Sequence, residues 1–118
     1  MILLRNARVV STGNELIPME VLIRDGAIAA IEPVIAAEAG WQVIDCQGML
    51  LTPGFIDPHV HLREPGFTDK ETIATGTRAA IKGGYTTIFA MPNVSPCPDT
   101  PERMTDMIRR AAAAAIDV

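Results

Sequence analysis

Hydrophobic residues in the first part of the chain recur in short, partly alternating runs that predict strands. These runs cover residues 3–10, 20–24, 27–31, 41–45 and 49–52. The pair Asp25-Gly26 separates the second run from the third. It favours a two-residue hairpin, because a type I′ turn needs positive φ at both central positions. We therefore expect residues 1–52 to form mostly antiparallel β-structure.

Beyond residue 52 the pattern alternates between strand and helix. Residues 55–62 are interpreted as a strand, and residues 85–91 form a continuous β-rich run typical of a strand buried in a parallel sheet. Between them, apolar positions at helical spacing predict a helix whose inner face carries Ile73, Thr77, Ala80 and Ile81. Thr68 is followed three residues later by Glu71, which predicts a capping box at the start of this helix.

A second helix is predicted after the proline-rich segment 92–99. Thr100 suits the N-cap and Pro101 the first helical position, and the helical pattern runs into the alanines at 111–115. Residues 116–118 have the composition of a third strand. The order β-α-β-α-(β) predicts an α/β fold, either a doubly wound sheet or a (β/α)8 barrel. Since a barrel typically needs about 250 residues, we interpret the chain as the N-terminal piece of a longer protein.

Composition and charge narrow the classes of function. Ten Lys and Arg against fourteen Asp and Glu give a net charge of −4, without a basic stripe, which argues against nucleic acid as a partner. No apolar run approaches the roughly 20 residues of a membrane helix, so we expect no membrane association. Two cysteines, Cys46 and Cys97, are too few for a disulfide scaffold, and we expect a cytoplasmic protein with reduced thiols.

The candidate chemistry lies at the end of the predicted strand 55–62, where the only two histidines stand two positions apart. Strand side chains alternate, so Asp57, His59, His61 and Arg63 are expected on one face, with the histidine Cα atoms about 6.6 Å apart. Two imidazoles at that spacing can bind one metal ion. The same two histidines could also be ordinary polar side chains at a strand end, without a metal.

The neighbouring acidic residues are interpreted differently. Asp57 is expected to orient a histidine or to contact the metal, because histidine ligands usually need a hydrogen-bond acceptor. Glu64 is interpreted as a loop or solvent-exposed side chain.

Residues 53–66, with the sequence PGFIDPHVHLREPG, resemble the N-terminal metal motif of dihydroorotases in the amidohydrolase superfamily. The similarity continues through residues 83–87 (GGYTT) and 91–93 (MPN), and the strand-rich start also fits that superfamily. The His-x-His pattern by itself indicates only the superfamily. The longer run 61–66 (HLREPG) indicates dihydroorotase.

The resemblance implies an enzyme that reversibly hydrolyses dihydroorotate to N-carbamoyl-L-aspartate in pyrimidine biosynthesis. It implies a zinc-dependent (β/α)8 barrel, with residues 1–52 as strands of a small β-sandwich domain and residues 53–118 as the first two β-α units. His59 and His61 would bind the more buried of two zinc ions. Arg63 and Asn93 would hold the substrate carboxylate, with His61 also near the substrate.

The resemblance also implies which parts of the site these residues lack. A bridging carboxylate (Asp or a carboxylated Lys), two further histidines and a general-base Asp are expected beyond Val118. We therefore expect the 118 residues alone to be inactive.

Two other functions remain open at this point. An allantoinase or hydantoinase would share the barrel and the histidine pair, but Arg63 suits the carboxylate of dihydroorotate better than an uncharged ring. A non-catalytic dihydroorotase-like subunit would instead scaffold a partner such as a transcarbamoylase. We expect a homo-oligomer, and a transcarbamoylase partner stays an open alternative.

Overall fold

The computed structural model describes all 118 residues, which separate into two compact units, Met1–Pro53 and Gly54–Val118. Neither of the two helices is long and apolar enough to cross a membrane.

The first unit is a five-stranded sheet. Its strands are β1 (Ile2–Val10), β2 (Leu16–Arg24), β3 (Ala27–Glu32), β4 (Gln42–Asp45) and β5 (Leu50–Leu51). Their order is β3-β2-β1-β4, and β5 also pairs with β1. The predicted hairpin between β2 and β3 is confirmed, since Asp25 and Gly26 have φ of 52° and 78°.

The sheet of the first unit is mixed, although most of its paired residues are antiparallel as predicted. β2 pairs antiparallel with β1 and with β3, but β4 and β5 run parallel to β1. The reason is topological, because the segment 33–41 carries the chain from β3 back to the free edge of β1. Alternating hydrophobic positions cannot report strand direction, so the sequence pattern did not predict this return.

The second unit is a parallel β-α-β arrangement. It contains β6 (Phe55–Val60), α1 (Ile73–Lys82), β7 (Tyr85–Ala90) and α2 (Pro101–Ala111), and β6 pairs with β7 in parallel. An isolated parallel bridge joins Thr87 to Asp117, where the sequence predicted a third strand. The α/β class is therefore confirmed. The core of this unit consists of Leu62, Ile73 and Ile88, with further apolar side chains packed against them.

The start of α1 differs from the prediction. Its N-cap is Thr72, whose hydroxyl accepts a hydrogen bond from the Thr75 backbone N–H at 3.1 Å. The Thr75 hydroxyl donates to the Glu71 carboxylate, and this bond is the main reason that the pKa of Glu71 is lowered. Thr68 instead lies in a turn, because the segment after Phe67 closes on itself through the bond from Lys70 N–H to the Phe67 carbonyl at 3.0 Å.

The end of α2 also differs from the prediction, while its start is confirmed. Thr100 is the N-cap and Pro101 the first helical residue. The helix stops at Ala111 instead of running through the later alanines. The chain then turns so that Asp117 can pair with β7, with its N–H bonded to the Thr86 carbonyl at 3.1 Å. Helix propensity is overridden there by a long-range strand contact.

The two candidate caps allow a matched test of where α1 begins. Replacing an N-cap threonine by alanine typically costs about 1 kcal/mol, because a first-turn N–H loses its acceptor. We predict this loss in unfolding free energy for Thr72→Ala and almost none for Thr68→Ala, measured by denaturant unfolding. A larger loss for Thr68→Ala would contradict the observed helix start.

Candidate functional site

A bulge in β6 decides which side chains face the helices. Between the pairs Asp57–Ile88 and Val60–Ala90 the register shifts, so β6 carries one extra residue at positions 58–59. Val60, Ile88 and Ala90 all belong to the core to which α1 contributes Ile73, or pack against that core. Asp57, in register with Ile88, therefore lies on the helix side. The predicted common face with the histidines is wrong for Asp57.

Asp57 acts on the backbone of the histidine segment. Its carboxylate Oδ1 accepts a hydrogen bond from the backbone N–H of His59 at 3.0 Å. No group of three or more His, Cys, Asp or Glu side chains comes close enough together to hold a metal ion. Asp57 is therefore bonded to the backbone of His59 and to neither imidazole ring, while a metal contact of Asp57 stays a prediction. The bulge at Pro58, which cannot donate a ladder hydrogen bond, is the physical reason that Asp57 is bonded to neither ring.

The two histidine rings are exposed and lie together at the end of β6. Their centroids are 5.1 Å apart and their planes are inclined by 68°. Rings at this separation can share one ion, because Zn–N bonds are about 2.0–2.1 Å long. His59 and His61 therefore fit two ligands of a zinc site. Catalytic zinc sites usually have three protein ligands, so this pair is a partial donor set.

A hydrogen bond across the sheet joins His61 to Asn93, which follows β7. The His61 Nδ1 lies 2.8 Å from the Asn93 Oδ1. An amide oxygen only accepts, so Nδ1 carries the proton and the Nε2 lone pair is left for a metal. The same bond turns the Asn93 amide nitrogen away from His61, where it can donate to a ligand. The structure thus brings together these two predicted site residues.

Arg63 is placed on the loop that leaves this strand end. Its backbone is in the left-handed region, with φ of 63°. Its carbonyl accepts a hydrogen bond from the Phe67 N–H at 2.9 Å. Arg63 is half-buried, and its guanidinium makes no hydrogen bond or ion pair with the protein, although five donors are available. Such a group is suited to bind an external anion.

The loops after β6 and β7 pack directly against each other. The Ser95 backbone N–H donates to the Pro65 carbonyl at 3.0 Å. Gly66 has φ of 97°, and a Cβ there would lie 2.7 Å from the Ser95 Cβ and still closer to the Ser95 carbonyl oxygen. The loop that carries Arg63 and the loop that carries Asn93 therefore form one rim, defined here as residues 63–66 and 93–96.

Glu64 lies on a loop, as predicted, but its side chain is not a solvent-exposed one. Its side chain is only 22% exposed and is fully engaged. Oε2 accepts from the Ile73 backbone N–H at 3.0 Å, and Oε1 lies 3.4 Å from the Arg110 Nη1. Glu64 therefore links the rim to α1 and α2. No local spacing rule could have found it, because both partners are distant in sequence.

The partner of Glu64 on α2 is itself part of an ion-pair group. Asp106 receives hydrogen bonds from Arg109 and from Arg110, and these lower the pKa of the Asp106 carboxyl in that order of importance. Its bond to the Arg110 Nε is 2.7 Å long. Asp106 thereby holds the Arg110 guanidinium in place while another nitrogen of that group reaches Glu64.

Comparison with known proteins gives a consistent result. The dihydro-orotase-like family profile matches residues 48–118. The dihydroorotase of Pediococcus pentosaceus is 49% identical over 108 residues, which cover 92% of this chain and 25% of that protein. The dihydroorotase of Bacillus cytotoxicus is 50% identical over the same shares of the two chains. This chain thus spans about a quarter of the length of the curated relatives it matches.

Solved structures of cyclic amide hydrolases share the fold. The L-hydantoinase (dihydropyrimidinase) of Arthrobacter aurescens superposes with a TM-score of 0.89 at 28% identity, covering 98% of this chain and 26% of that one. The dihydropyrimidinase of Brevibacillus agri gives a TM-score of 0.79 at 34% identity, covering 98% of this chain and 25% of that one.

The close packing of the rim can be tested with two glycines. Gly66 and Gly48 both have positive φ, so alanine costs each roughly 1–2 kcal/mol of backbone strain. A Cβ at Gly48 meets nothing within 4 Å, whereas at Gly66 it collides with Ser95. We predict that Gly66→Ala lowers the unfolding free energy by about 1–3 kcal/mol more than Gly48→Ala. Equal losses in denaturant unfolding would contradict the packing of the two loops.

Proposed function

Because this chain belongs to the dihydro-orotase-like family, we propose that the full-length protein is a zinc-dependent cyclic amide hydrolase. It interconverts dihydroorotate and N-carbamoyl-L-aspartate in pyrimidine biosynthesis. The observation that carries this proposal is the partnerless guanidinium of Arg63 on the rim beside the histidine pair. A ring amide that bears a carboxylate is the substrate that needs both features.

The histidine pair supplies the metal side of the proposed site. His59 and His61 would hold zinc, and in the neutral His61 ring the bond to Asn93 places the proton on Nδ1 and leaves the Nε2 lone pair for the metal. A bound zinc ion would supply activation of water near neutral pH and polarisation of the ring amide. Two ions are proposed for the full-length subunit, with the bridging carboxylate, further histidines and general-base Asp outside residues 1–118. These residues alone are therefore expected to be inactive.

The rim supplies the groups that bind the substrate in the proposed site. Arg63 presents a planar fork that matches a carboxylate through two parallel hydrogen bonds. The Asn93 amide nitrogen adds a neutral donor whose direction is set by His61. Holding the carboxylate at the rim orients the ring amide toward the histidines, and orientation of this kind contributes substantially to catalysis.

A hydantoinase-type activity is the second candidate, because the hydantoinases named above share the fold. Hydantoin itself has no carboxylate, so it would leave the Arg63 guanidinium unpaired, which disfavours it. A non-catalytic scaffold subunit has no use for the histidine pair or for the bond between His61 and Asn93. Dihydroorotate hydrolysis is therefore the function these residues support best.

The remaining expectations belong to the same proposal. Residues 1–52 contribute strands to a small β-sandwich domain, and residues 53–118 form the first two β-α units of a (β/α)8 barrel. We propose a cytoplasmic homo-oligomer, with a transcarbamoylase as an alternative partner.

Zinc binding is tested by removing one imidazole. In the full-length protein, His59→Ala should lose zinc and nearly all activity, because one of the few ligands of the metal is gone. Asp57→Asn serves as a control that retains its zinc, since Asp57 lies on the helix side of β6. Metal content measured by atomic emission checks both. A His59→Ala protein that keeps its zinc and its rate would show that the metal assignment is wrong.

The role of Arg63 is tested by a charge-preserving change. Arg63→Lys keeps the charge but loses the bidentate geometry, so we expect kcat/KM for dihydroorotate to fall by roughly 30-fold or more, with zinc content unchanged. Arg78→Lys is the matched control, because the Arg78 Nε donates only to a carbonyl of its own helix. Near-normal kinetics of Arg63→Lys would remove the main reason for preferring dihydroorotate.

A further inference from the structure

The position of the Arg63 guanidinium depends entirely on the backbone that carries it. Its side chain has no hydrogen-bonding partner in the protein, and its own φ of 63° lies in a region that non-glycine residues rarely occupy. Among residues 62–67, Glu64 is the only one whose side chain makes a hydrogen bond. Apart from Leu62, whose side chain is buried in the core, Glu64 is therefore the side chain that anchors the segment carrying Arg63.

That anchor reaches two helices at once. One carboxylate oxygen of Glu64 accepts from the Ile73 backbone N–H at 3.0 Å, and the other lies 3.4 Å from Arg110. Arg110 is in turn held by Asp106 through a bond of 2.7 Å. Ile73 of α1 belongs to the same core as Ile88 of β7, so the bond from its N–H to Glu64 fixes the rim relative to the sheet that carries the histidines.

Capping of α1 does not by itself explain the contacts that the Glu64 side chain makes. The Thr72 hydroxyl already accepts from Thr75 N–H, and the Glu71 carboxylate accepts from Thr72 N–H. The helix therefore has its own cap, in which each acceptor is close in sequence. Glu64 approaches from the preceding loop, and its second oxygen faces Arg110 instead of the helix terminus.

We propose that Glu64 is a positioning residue that sets the place of Arg63 for carboxylate binding. This inference rests on the proposed role of Arg63. It predicts that loss of Glu64 acts through Arg63 and leaves the metal site intact.

The kinetic test is a double-mutant cycle in the full-length protein. Glu64→Ala should raise the KM for dihydroorotate about tenfold or more with a smaller change in kcat and unchanged zinc content, since misplacing a binding group by about 1 Å can cost up to a hundredfold. Glu64→Gln, which keeps an acceptor for Ile73, should recover part of this loss. In an Arg63→Ala background, Glu64→Ala should cause no further loss. Asp99→Asn is the control, because its exposed ion pair with Arg103 lies outside the rim.

A second measurement is independent of the substrate. The Phe67 amide is bonded to the Arg63 carbonyl, so its hydrogen exchange reports whether the Arg63 segment is held. We expect this exchange to speed up in Glu64→Ala and, more weakly, in Arg110→Met, which removes the outer partner and leaves the bond to Ile73.

The outcomes separate this inference from the proposed function. Unchanged exchange at Phe67 would overturn the positioning role whatever the substrate, as would a full additional kinetic loss in the Arg63→Ala background. A wild-type protein that hydrolyses hydantoin and not dihydroorotate would instead refute the proposed substrate. Faster exchange at Phe67 in such a protein would still support Glu64 as the anchor of this loop.

Discussion

The parallel pairing of β6 with β7 is the constraint on which the candidate site depends. The carboxyl ends of parallel strands meet at one edge of the sheet, so strand pairing alone brings the residues that follow them close together. His61 follows β6 and Asn93 follows β7, and their side chains meet at 2.8 Å. That single bond selects the His61 tautomer and the direction of the Asn93 amide. Strand pairing thus couples the proposed metal ligand His61 to the proposed substrate-binding residue Asn93.

The rim places a free and an engaged charged side chain next to each other. Arg63 is left without a protein partner, while Glu64 beside it is fully engaged with α1 and α2. Of these two adjacent charged residues, Arg63 is available to a ligand, whereas Glu64 is bonded within the protein. Gly66 completes the arrangement, since only a residue without a Cβ allows the loop after β7 to approach so closely.

The sequence predicted those parts of the fold and of the candidate site that local interactions determine. The Asp25-Gly26 hairpin, the start of α2 at Thr100-Pro101 and the β-α-β order follow from turn chemistry, capping and periodicity. Asp57 was misplaced because alternation does not report a bulge. The cap of α1 was misplaced because Thr68 and Thr72 offer the same hydroxyl, and only the turn after Phe67 decides between them. Glu64 was missed because its partners are set by tertiary packing.

The most direct test of the central claim is to compare two substrates with the full-length, zinc-loaded protein. The unpaired Arg63 predicts that kcat/KM for dihydroorotate exceeds that for hydantoin by on the order of a hundredfold or more, because the uncharged ring leaves the guanidinium without its partner. Equal or faster hydrolysis of hydantoin would contradict the account.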